Sequence, residues 1–204
     1  WAGNVTETLK VEVLTDGTEL TALHTSQKYN VLGQVYESRV QYGSGLNDTA
    51  DRITLYIYDE LGRQVETVVK AEGNYQIYSG YNNDTLVYTD GDRISQQWYN
   101  AAGDLVYNVR FDYDGGSGLT SFASVDDMLE YLADHEGHEA HEVKIYVEMN
   151  SFDYGKPEGS YVLKGIDENG ELLWHKTAEN VYDLAGRVRM SFDADDNFTT
   201  LDYN

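Results

Sequence analysis

Three histidines in the run HEGHEAHE, His135, His138 and His141, stand three residues apart and interleave with Glu136, Glu139 and Glu142. Imidazole and carboxylate are ordinary ligands for zinc and related divalent ions, so a metal centre is the first chemistry this pattern offers. The spacing differs from that of zinc-peptidase helices, which place two histidines four apart with a glutamate next to the first. Gly137 interrupts the run and is placed to end a helix between the ligands, so they would not share one face. The favoured reading is a polar loop whose first histidine complements a helix C-terminus, with no resident cofactor. A divalent metal held by His135, His138 and His141 is the alternative.

Other reactive constellations fail at a named position. Asp193, Asp195 and Asn197 are spaced like the opening of a calcium loop, but Phe198 stands where the sharp turn needs glycine and Asn204 where a bidentate glutamate belongs. A turn bonded by its own side chains is favoured there. Ser117 in GGSGL lacks the last glycine of a nucleophile elbow, and Gly155-Lys156 runs into Pro157 rather than Ser or Thr. With 36 acidic residues a carboxylate pair for glycoside hydrolysis can be drawn anywhere, so none is informative. There is no cysteine, which removes disulfides, thiolate metal sites and cysteine nucleophiles. The chain is expected not to be an enzyme.

The 18 tyrosines are the remaining abundant chemistry. Aromatic faces can stack on sugar rings, and Trp98, Tyr99 and Trp174 form the candidate ligand platform of a carbohydrate-binding module. The competing explanation is that β-sheets favour tyrosine, with the ring packed across strands and the hydroxyl reaching solvent.

The elements that would position these groups are set by a repeat of an aromatic or aliphatic residue, Asp or Asn, two variable residues and Gly. Its copies read YNVLGQV from Tyr29, YDELGRQV from Tyr58, YNAAGDLV from Tyr99, IDENGELL from Ile166 and YDLAGRVR from Tyr182. Asp or Asn accepts a hydrogen bond from backbone two residues on, and glycine tolerates positive φ, so Asn30/Gly33, Asp59/Gly62, Asn100/Gly103, Asp167/Gly170 and Asp183/Gly186 mark reverse turns. Flanking segments alternate as half-buried strands do: Ile53, Leu55 and Ile57 share a face, as do Leu105, Tyr107, Val109, Phe111 and Tyr113. Further strands are expected at 9–14, 86–89, 161–166, 172–176 and 187–192, with another through Val143, Ile145, Val147 and Met149. Asp90, Gly91 and Asp92 read as a hairpin tip.

One segment breaks this rhythm. Val125, Met128, Leu129 and Leu132 recur at helical spacing behind Ser124, a candidate N-cap, and Asp126 and Asp127 suit the positive helix end. The expected fold is mainly β: an antiparallel hairpin meander, as a curved open sheet or a sandwich or barrel, with one short amphipathic helix near 124–136. A single module over 1–204 is the simpler organisation; a subdivision into 1–116 and 119–204 at the Gly-rich GGSG is the other.

The segment YDLAGRVRMSFDADDNFTTLDYN from Tyr182 resembles a unit of the YD or RHS repeat of bacterial surface and toxin-shell proteins and animal teneurins. The resemblance rests on the opening Tyr-Asp, the Gly186-Arg187 pair, the Asp-x-Asp at Asp193 to Asp195 and the closing Asp-Tyr-Asn. It departs at Asp196, where the family carries glycine before Asn197. YDELGRQVETVV from Tyr58 resembles the first half of such a unit. The resemblance implies strands laid side by side in a large curved sheet or shell without catalytic residues, and Tyr203-Asn204 resemble the opening of a further unit. QQWYNAAGDLV from Gln96 is similar, more loosely, to aromatic cell-wall-binding repeats, which hold choline or glycan between paired rings.

The charge balance bounds the partners. Against 36 acidic residues stand 14 basic ones, a net charge of -22, which repels phosphate backbones and anionic lipid, so nucleic acid is not expected as a partner. No apolar run reaches the length of a membrane span, and no membrane insertion is expected. The expected partners are neighbouring repeat modules of the parent protein, or an extracellular protein or glycan, with oligomers formed through open sheet edges. The expected location is extracellular or at the cell surface.

Overall fold

The computed structural model describes residues 5–9, 12–13, 19–20, 24–41, 52–71, 88, 90–115, 119, 121–134, 145–167, 169 and 171–203. It is mainly β. The strands are β1 (Val5–Leu9), β2 (Glu12–Val13), β3 (Glu19–Leu20), β4 (His24–Tyr29), β5 (Val35–Gln41), β6 (Arg52–Tyr58) and β7 (Gln64–Val69). They continue with β8 (Arg93–Tyr99), β9 (Leu105–Asp112), β10 (Ile145–Asp153), β11 (Lys156–Ile166), β12 (Leu172–Tyr182), β13 (Val188–Asp193) and β14 (Phe198–Thr200). One helix, α1 (Val125–Asp134), lies between β9 and β10. Among the described residues the main sheet has 12 strands in the order β1-β4-β5-β6-β7-β8-β9-β10-β11-β12-β13-β14, while β2 and β3 pair with each other. The assigned strand pairs are antiparallel, and the fold is an open-sheet hairpin meander.

The chain forms two compact units, Trp1–Ser95 with Asp112–Thr120, and Gln96–Phe111 with Ser121–Asn204. In the first, Ile53, Leu55, Val68 and Ile94 are buried. Leu55 faces Val68 and Glu37 across the ladder. The same buried set includes Glu37, Glu66, Lys70 and Asp92. A buried charge is tolerated only when paired, and these have partners. Lys28 Nζ donates to Glu37 at 2.8 Å, Tyr88 Oη to Glu66 at 2.8 Å, and Lys70 Nζ to Asp92.

In the second unit Val109, Phe111, Phe122, Val147 and Met128 of α1 are buried, and Phe122 packs edge-on against Phe111 and against Tyr131 of α1. Ser124 caps the helix: its Oγ accepts the Asp127 N–H at 3.1 Å, while Asp127 reaches back to the Ala123 N–H at 3.0 Å. Of the apolar helix positions, Met128 is fully buried and Val125, Leu129 and Leu132 are half-buried. Gly137, Gly116 to Gly118, Val143 and all of 86–89 except Tyr88 lie outside the described residues. Among the described residues no helix is long and apolar enough to cross a membrane.

Candidate functional site

The repeat residues assemble one recurring structure at the hairpin ends. In β4–β5 the Asn30 N–H donates to Gln34 O at 2.8 Å and the Gly33 N–H to Asn30 O at 3.0 Å, with Gly33 at φ +78. That is a three-residue hairpin loop, a turn followed by a left-handed residue. Asn30 Oδ1 accepts the N–H groups of Leu32 and Gln34 at 3.0 and 2.9 Å. The same scheme holds at Asp59, Asn100 and Asp167, and at Asp183 for the N–H of the residue four on. Gly62, Gly103 and Gly186 have φ of +80, +91 and +80; Gly170 lies outside the described residues. A sixth copy occurs at Asp193, whose Oδ1 accepts the Asp195 and Asn197 N–H groups at 2.9 and 3.0 Å. There Asp196 occupies the left-handed position at φ +57, and its carboxylate meets Lys176 Nζ at 2.7 Å. The Lys176 ammonium is held above its ordinary range by hydrogen bonds to Asp196 and then Glu179.

The residue after the glycine closes the turn. Arg63 Nε donates to Asp59 Oδ2 at 2.7 Å and Arg187 Nε to Asp183 Oδ2 at 2.9 Å; Asn30 Nδ2 donates to Gln34 Oε1 in the amide version. Each such hairpin then shows a register shift, between Lys28/Tyr29, Ile57/Tyr58 and Val181/Tyr182, which leaves Tyr36, Val65 and Arg189 as the extra residue. All three stand at the third position past the turn glycine.

The motif tyrosine has a separate task. Tyr58 Oη donates to Val35 O at 2.7 Å, Tyr182 Oη to Pro157 O at 2.6 Å and Tyr203 Oη to Val188 O at 2.8 Å. In these three bonds the acceptor is the carbonyl two residues past the glycine of an earlier turn, Gly33, Gly155 and Gly186. The residue between that glycine and that carbonyl packs against the newcomer: Lys156 Nζ lies 5.4 Å from the Tyr182 ring, Arg187 lies 4.4 Å from the Tyr203 ring, and Gln34 Nε2 donates to Gly62 O. Tyr58 and Tyr182 thus tie the start of their own hairpin to an earlier one, while the motif tyrosine Tyr29 instead donates to Gln27 Oε1. Tyr58→Phe, which deletes only the hydroxyl, is expected to cost about 0.5–1.5 kcal/mol, read as a lowered urea midpoint at unchanged m.

The turn acids respond to charge. Asp167 and Asp183 are held below the usual carboxylate range chiefly by backbone N–H groups of Glu171 and Arg187, and Asp193 chiefly by the Asn197 side chain. At Asp59 partial desolvation pulls upward, and the Arg63 hydrogen bonds outweigh it. A depressed folded-state value means stability that is present above the unfolded value, near about pH 4, and is lost as pH falls through the folded value. Melting temperature is expected to fall below about pH 4. Exchanging these four aspartates for asparagine, the residue already used at 30 and 100, should flatten that acid limb; an unchanged slope would show that other groups set it.

The other sequence candidates do not converge. Trp98 and Tyr99 are half-buried at the end of β8, and Trp174 is half-buried on β12 opposite Leu163. The well-exposed aromatic residues are instead Tyr154 at 96% and, less so, Phe198, Tyr146 and Tyr203. Tyr154 and Gly155, at φ +47 and +75, form the two-residue turn between β10 and β11. Exposed apolar side chains mark further hairpin ends, Val31, Leu32 and Leu61 in the first unit and Leu184 in the second. His135, His138 and His141 lie outside the described residues, and among the described residues no three His, Asp or Glu side chains are grouped to hold a metal.

The pairing of Lys70 with Asp92 was missed from sequence. Asp92 is not part of an exposed tip: its side chain is 0% exposed and Lys70 is 7% exposed. Alternation puts Asp92, just before β8, with Ile94 and Gln96, and Lys70, just after β7, with Glu66 and Val68, which assigns each a strand face but not a partner. No protein-family model matches this chain, and no curated protein matches it.

Proposed function

We propose that the chain is a non-catalytic β-repeat module of the YD/RHS type, located outside the cell, with a structural or adhesive role. The observation that carries this reading is how the motif residues are used. Tyrosine ties one hairpin to the last, aspartate or asparagine and glycine build the turn, and arginine closes it. The groups a sequence motif would otherwise offer to a substrate are engaged in stacking hairpins. The hairpin ends also leave exposed apolar groups for a partner, Tyr154 and Leu184 in one unit, Val31, Leu32 and Leu61 in the other. The acidic balance of the chain favours a partner whose surface carries basic groups around an apolar patch.

The test combines location and binding. An antibody to the chain should label intact cells of the natural producer, and protease applied to those cells should remove the signal. On a glycan array the isolated chain is expected to show no saturable binding. Submillimolar glycan binding that disappears in Trp174→Ala would instead establish a carbohydrate-binding module.

A further inference from the structure

We propose that the folded chain joins Lys70 to Asp92 by an intramolecular isopeptide bond. Lys70 follows β7 and its N–H donates to Ile53 O at 2.9 Å; Asp92 precedes β8 and its carbonyl accepts the Tyr113 N–H at 2.7 Å. The ladder thus fixes both backbones before any side-chain chemistry begins. The side chains meet directly, Nζ on Oδ2, and are among the most buried polar groups described, at 7% and 0% exposed. Val68 and Ile94, two residues away on β7 and β8, are fully buried beside them in sequence and on the same strand faces.

Away from water the separated charges lose their solvation, and passage of a proton from the ammonium to the carboxylate leaves an amine beside a carboxylic acid. The amine lone pair attacks Cγ. The displaced carbonyl electron pair settles on Oδ1, which already accepts the Ala71 N–H at 2.8 Å, a donor placed to hold the developing negative charge. A proton passes from Nζ to Oδ2, the Cγ–Oδ2 bond breaks and water departs. One amine and one acid become one amide and one water, with no oxidant, reductant or added reagent. Holding the two groups in contact supplies the effective concentration that the reaction lacks in solution.

The product ties the end of β7 to the start of β8 across residues 71–91. A chain without cysteine thereby gains the loop closure that a disulfide gives other extracellular domains, in a form that reductants do not open.

Intact-mass spectrometry of the purified 204-residue chain tests this directly. The folded wild type is expected to be lighter than its sequence by one water, and digestion should release a branched peptide containing both Lys70 and Asp92. Lys70→Arg and Asp92→Ala should each restore the full mass, a readout that does not require the variants to fold. Lys70→Arg should also melt roughly 10 °C or more below the wild type. A wild type of full mass after incubation at neutral pH overturns the proposal. So does a water loss that persists in Lys70→Arg, which would place the dehydration elsewhere, as at Asp90-Gly91.

Discussion

Asp92→Ala is expected to destabilise the first unit by about 3–5 kcal/mol, the range for breaking a buried charge pair from one side and similar to that for losing a covalent loop closure. The carboxylate is fully buried, and its removal leaves the Lys70 ammonium in the interior and the Ala71 N–H without its acceptor. Hydrogen exchange through β6 and β7 reports the effect, because the Lys70 N–H bonds Ile53 O and Leu55 pairs with Val68 beside it. The double substitution Lys70→Met with Asp92→Leu removes both charges and is expected to regain the desolvation part of the loss. It does not regain the part that belongs to loop closure. A loss below about 1 kcal/mol in Asp92→Ala would mean that the ammonium escapes to solvent and that the burial is not enforced.

The turns were legible in the sequence because their chemistry is local. Asp or Asn at one position and glycine three on specify the same carbonyl and N–H partners wherever the chain carries them, and Ser124 with Asp127 specify the helix start in the same way. At Asp196 the sequence carries no glycine, yet the turn forms: an aspartate tolerates the left-handed region at modest cost, and Lys176 holds its carboxylate. The tyrosine ties were not legible. Sheet propensity sends the ring across the strand and the hydroxyl to water, whereas Tyr58 and Tyr182 aim theirs at a carbonyl 23 and 25 residues earlier. The buried pair escaped for a related reason. Period-two alternation assigns a face to Lys70 and Asp92 but not its environment, and charged residues at alternate positions read as the wet side. Only the pairing partner, 22 residues away, distinguishes a buried ion pair from a solvated one.

Phe122→Ala is expected to cost about 3–5 kcal/mol in the second unit and to unfold α1 before the hairpins. A ten-residue helix is too short to persist on its own, so its stability is borrowed from packing. Phe122 supplies much of that packing at the helix approach. Its ring meets Phe111 and Tyr131 edge-on, with centroids 5.4 and 5.5 Å apart, and its N–H donates to the buried Gln96 Oε1 at 2.9 Å. Truncation opens a cavity between β9 and α1 and removes two aromatic contacts at once. The capping variant Ser124→Ala is the comparison, since it weakens the helix by about 1 kcal/mol without opening a cavity. Far-ultraviolet circular dichroism should lose its helical component in Phe122→Ala, while exchange protection at the Asp183 turn and along β13 stays near wild type. Parallel loss of protection at both places would show that α1 and the C-terminal hairpins fold as one cooperative block, with the tyrosine ties transmitting the damage from strand to strand.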